Sequence, residues 1–101
     1  MKVLPIASVD IDSAGSLFVR PKTDQSYEYI YREGNGLRWD GNKRALHADE
    51  PARWEPTELL HHIATTLRES CDQALVFTDS TSWHGVPAEL QNDLRNALAK
   101  K

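Results

Sequence analysis

SYEYIYREGNGLRWD, residues 26–40, places three tyrosines at alternate positions, Tyr27, Tyr29 and Tyr31, and then a Gly34-Asn35-Gly36 turn before Leu37, Arg38 and Trp39. Alternation puts side chains two apart on one face of a strand. A Gly-Asn-Gly turn is a common way to return the chain into an antiparallel neighbour. The segment therefore predicts two strands, residues 26–32 and 37–40, sharing an aromatic face. Such a face is either the floor of a core or a surface kept for a partner. The intervening Glu28, Ile30 and Arg32 offer little apolar area, so helices should cover the tyrosine side, which favours core. An interface between chains comes second and a small-molecule cleft third.

Upstream, Val9 and Ile11 alternate with Asp10 and Asp12, Ser13-Ala14-Gly15 breaks the run, and Leu17, Phe18 and Val19 resume it up to Pro21. That is a hairpin pattern. Downstream, Asp40-Gly41-Asn42 signals a further turn, and residues 44–48 suit a short edge strand. The first half reads as an antiparallel meander of about four strands.

The second half changes period. Leu59, Leu60, Ile63, Ala64, Leu67 and Cys71 follow the three-and-four spacing of an amphipathic helix, with Pro56 at its first position. With Glu55 as cap, Trp54 and Leu59 stand where a hydrophobic staple would close. Residues 74–78 are short, apolar and β-prone, which predicts a buried strand. After the polar run Asp79-Ser80-Thr81-Ser82 and Pro87, the stripe Leu90, Leu94, Ala97 and Leu98 predicts a last helix, with Glu89 and Asp93 near its start and Lys100 and Lys101 at its end. The expected architecture is one α+β domain over residues 1–101, its helices packed on one sheet face.

Composition narrows the function classes. The 101 residues carry 12 basic and 15 acidic side chains, a net charge of −3, with no polybasic arm to advertise nucleic acid or an anionic membrane. No stretch has transmembrane length, and the N-terminal apolar run is too short for a signal peptide. With a single cysteine, Cys71, inside a predicted helix, a cytoplasmic protein with a buried structural thiol is expected.

Candidate chemistry is sparse. Arg20, Arg32, Arg38 and Arg44 interleave with the aromatics as in binders of single-stranded nucleic acid, but Asp24, Glu28, Glu33 and Asp40 lie among them, and cross-strand ion pairs account for the charges. Nucleic acid is disfavoured on that count. His61 and His62 project about 100° apart on a helix and cannot share one ion, so no metal site and no cofactor is expected, and Glu58 offers His62 an ordinary side-chain pair. Asp79, Ser80, Ser82 and His84 are ingredients of nucleophilic hydrolysis, yet consecutive loop residues rarely supply a triad with an oxyanion hole. No catalytic residue is assigned. Trp39, Trp54, Trp83, His84, Tyr29 and Tyr31 are the candidate binding residues.

The run from Tyr29 to Glu33, the run Gly36-Leu37-Arg38-Trp39-Asp40, a Trp54 that opens a helix, and Thr81-Ser82-Trp83 before Val86-Pro87 resemble small bacterial proteins carried on mobile integron gene cassettes. The resemblance spans most of the chain from Tyr27 onward. It implies a bacterial cytoplasmic accessory protein and transfers no active-site residue. The leading expectation is a non-enzymatic protein acting through protein contacts, as a homodimer or with an accessory partner, an immunity or antitoxin role being one version. The competing expectation is a small-ligand-binding pocket protein or minor hydrolase, built where loops 41–55 and 79–86 would meet.

Overall fold

A computed structural model describes residues 2–50 and 53–99. Among them the order is β1 (Lys2–Ile11), β2 (Leu17–Pro21), β3 (Leu37–Asp40), β4 (Ala45–Ala48), α1 (Pro56–Cys71), β5 (Gln73–Val76), β6 (Ser82–His84) and α2 (Ala88–Ala99). The fold is α+β, one mixed sheet with the order β3-β4-β2-β1-β5, and β6 also pairs with β1. Lys100 and Lys101, expected at the end of α2, lie outside the described residues, as does part of the 41–55 stretch.

The hairpin forms as its pattern predicts. β1 and β2 pair antiparallel, and the Asp12 carboxylate accepts the N–H groups of Ala14 and Ser16 to tie the turn. β1 carries one extra residue between Ile6 and Ser8. The inward set is therefore Leu4 and Ile6 and then Val9, three positions on, as a bulge requires.

The connection after β2 corrects the meander. Residues 26–32 are not a strand: Ile30–Arg32 is a single helical turn. The N–H of Ile30 bonds to the Tyr27 carbonyl, that of Arg32 to Tyr29, and those of Glu33 and Gly34 to Ile30. The turn buries Tyr27 and Ile30, three residues apart, on one side and throws Tyr29 and Tyr31 out on the other. Bonding within the segment wins because Ile30 gains a core position that a strand would have denied it. Gly34 completes the fit, since a Cβ there would strike the Leu37 and Thr66 side chains. The chain thus crosses to the far edge of the sheet, where β3 begins, and β4 returns between β3 and β2. β4 is an interior strand, not the expected edge.

α1 matches the expected helix. Pro56 occupies its first turn, Glu55 stands at the cap without a side-chain bond, and Asp72 ends it in the left-handed conformation. Leu59, Leu60, Ile63, Ala64 and Leu67 are buried against the sheet. The staple position of Trp54 is used differently, because its ring stacks on His62, with centroids 4.9 Å apart and planes 8° from parallel. α2 packs on α1 and buries Leu94.

Register sorts the sheet into two faces. Val9, Val19, Leu46 and Trp39 stand opposite one another on β1, β2, β4 and β3, in the row that packs into the core. The next row is His84, Asp10, Phe18, His47 and Arg38, on β6, β1, β2, β4 and β3. Alternation turns this second row away from the core. No described helix is long and apolar enough to cross a membrane.

Candidate functional site

Tyr27 and its two neighbours have opposite fates. Tyr27 is 4% exposed, meets the Trp39 ring edge-on at 5.3 Å and donates its hydroxyl to Gln73 Oε1 at 2.8 Å. Gln73 Nε2 passes the chain on to Gln25 Oε1. Burial pushes the Tyr27 hydroxyl above its ordinary value, against the lowering effect of Gln73. Tyr27→Phe should strand the Gln73 oxygen and cost about 1–2 kcal/mol by urea denaturation, while Tyr29→Phe should change nothing measurable. Equal costs would remove the distinction.

Tyr29 is 62% exposed and Tyr31 47%, so the sequence expectation that these rings floor the core is overturned. Their centroids lie 6.4 Å apart. The Arg32 guanidinium sits 4.9 Å from the Tyr29 ring and 5.9 Å from Tyr31, and Arg38 reaches Tyr31 at 5.6 Å. Exposed cation–π pairs are worth about 0.5–1 kcal/mol each, enough to hold the rings in a shared orientation. Arg38 also pairs with Asp49 at 3.5 Å. The expected pairing of arginines with Asp24, Glu28, Glu33 or Asp40 does not occur: among the described residues the ion pairs are Arg38–Asp49 and Arg53–Glu50. The three-residue step from Tyr27 to Ile30, with Gly34 four further on, was the signal that this stretch winds.

The three tryptophans, by contrast, all pack against the core. Trp83 stacks on Phe77 at 5.1 Å and lies under Arg95. Trp39 lies under Arg44. His84 is exposed on β6 opposite Asp10. The hydroxyls of the 79–82 run hold the loop: Thr81 Oγ1 donates to the Ile6 carbonyl at 2.7 Å and accepts the Thr78 N–H. His62 donates from Nε2 to the Asn35 carbonyl at 2.8 Å instead of pairing with Glu58.

β1 and β2 separate β4 from β6, roughly 14 Å at the usual strand spacing, so the strands do not bring loops 41–55 and 79–86 together. A shallow groove of about 620 Å³ lies beside Trp54, lined by α1 residues including His61 and by Ala97 of α2. A smaller cavity of about 280 Å³ lies between residues 25–33 and the end of α1, where Cys71 is half-buried. Burial raises its thiol above the ordinary value, and nearby Glu33 adds to the effect, which keeps it protonated and poorly nucleophilic at neutral pH.

No protein-family model matches the chain, and no curated protein does. Among solved structures it is similar to the integron cassette protein Hfx_Cass5 from the mobile metagenome of the North West Arm sewage outfall, at 33% sequence identity over 99% of each chain and with a TM-score of 0.47. The chain belongs to the family of this integron cassette protein.

Proposed function

We propose that the chain is a non-enzymatic accessory protein of the bacterial cytoplasm that works through protein contacts, made by the surface of Tyr29, Tyr31, Arg32 and Arg38. The observation that carries this reading is the exposure of two tyrosine rings held in place by guanidinium groups. Tyrosine and arginine are enriched among the anchors of protein interfaces: the tyrosine ring buries large area with two rotatable bonds, and the planar guanidinium presents several donors to the partner. A pair of exposed rings on an otherwise charged surface buries little area in folding and is free to be buried by a second chain.

Light scattering at micromolar concentration, with cross-linking of the tagged chain in a bacterial host, tests the reading. A dimer or a discrete heterocomplex is expected. The double variant Tyr29→Ala/Tyr31→Ala should weaken it at least about tenfold, some 1.4 kcal/mol. Its folding stability should fall by no more than about 1.5–3 kcal/mol, the sum of the three exposed cation–π contacts it removes, with the fold retained. A strict monomer without any cross-linked partner would defeat the proposal.

A further inference from the structure

The sheet face turned away from the helices bears charge where a covered face would bear apolar side chains. Arg20, Arg38, Lys43 and His84 are exposed on or beside it, and Phe18 lies in its middle. Phe18 is sealed, with Lys43 Nζ 3.9 Å above the ring and the His47 ring 5.1 Å away. At the end of this face a groove of about 480 Å³ is lined by Arg20, Lys22, Thr23, Asp24 and Arg44. Among the described residues none of Arg20, Lys22, Lys43 and Arg44 stands in an ion pair. Four cations without a carboxylate partner therefore gather on one side of a chain whose net charge is −3, Arg20 donating to Ser8 Oγ and Arg44 to the Thr23 and Gln25 carbonyls.

The carboxylates nearby offset them only in part: the Lys43 charge acts on Asp40, and Asp24 lines the groove. Asp40 is occupied by its own turn, accepting the N–H groups of Lys43 and Asn42. Asp10 and Asp24 remain, and Asp10 Oδ1 is buried with no hydrogen-bond partner.

From this arrangement we infer that the open sheet face and its groove receive an acidic segment of a protein partner. The inference rests on the protein-contact reading above and adds a second surface, continuous with the first through Arg38, which touches Tyr31 and stands in the sheet row beside His47. Two features select the occupant. Cations without a carboxylate partner call for carboxylates or phosphates. The sealed Phe18 leaves no ring on which a base can stack, which single-stranded nucleic acid needs. A second copy in a two-fold arrangement would set these cations against themselves.

The test is an NMR titration of the full chain with hexaglutamate, at low and at physiological salt. Amide shifts should centre on Phe18, Arg20, Lys43 and His47, saturate, and weaken with salt. Lys22→Glu/Lys43→Glu should lower the affinity at least tenfold, and Arg95→Glu on α2 should leave it unchanged. Lys22→Glu alone, at an exposed loop position, keeps the test valid should the double variant unfold. Shifts that are absent, scattered or confined to Tyr29 and Tyr31 would overturn this inference while leaving the protein-contact reading intact. Oligothymidine binding the same amides more tightly than hexaglutamate would overturn the inference and count against the reading as well.

Discussion

Gly85→Ala is expected to be among the most damaging single substitutions in the chain. Gly85 has a φ of +70°, and a Cβ there would strike the carbonyl oxygen of Ile11, the last residue of β1. Left-handed backbone costs an alanine about 1–2 kcal/mol and overpacking against fixed neighbours about 1–3, so the sum is about 2–5 kcal/mol. The collision cannot be relieved by a rotamer change, since the obstacle is backbone of a strand held by Leu17 opposite it. Gly15 is the internal control. It has a φ of +85° with nothing within 4 Å of the missing Cβ, so Gly15→Ala should cost only the backbone share. Urea denaturation of both variants measures the difference. Equal losses would show that Gly85 is needed for its torsion alone and that the close approach to Ile11 has no energetic weight.

Leu46→Ala comes next. Leu46 is fully buried at the centre of β4, between Val19 of β2 and Trp39 of β3. Emptying such a site removes about 2–5 kcal/mol, against a total stability of about 5–15 kcal/mol for a domain of this size. The melting temperature should fall by roughly 8–40 °C, at about 4–8 °C per kcal/mol. Were β4 the edge strand its sequence suggests, the loss would stay near 1 kcal/mol, so thermal denaturation decides between an interior and an edge position.

The sequence was most legible where one period dominates a segment. The helix at Pro56–Cys71, the hairpin of β1 and β2, the strand Leu37–Asp40 and the last helix all follow from their apolar spacing and turn residues. It misled at residues 26–32, where tyrosine occupied alternate positions while the apolar step that mattered ran from Tyr27 to Ile30. Alternating rings look like a strand face, but exposed tyrosines cost little, so their spacing constrains nothing. The place of β4 was hidden for another reason: pairing order depends on where a long connection crosses, and no local residue records that. The candidate surface was legible only in part: Tyr29 and Tyr31, read both as core floor and as candidate binding residues, are exposed, while the tryptophans taken for surface are packed. The row from His84 to Arg38 was invisible because its five members come from five strands.

β1 has two kinds of neighbour, and they differ in when they become available. β2 lies a few residues downstream, but the parallel partners along the opposite side, at Lys2–Pro5 and Ser8–Asp10, are supplied by β5 and β6, more than sixty residues later. On the ribosome the hairpin can close early, while its other flank waits for nearly the whole chain, with unpaired backbone groups exposed to any passing strand. Long-range closure of this kind slows folding. The earliest strand of the sheet is thus among the last to be finished, and the interval before β6 emerges is when this protein is most open to aggregation.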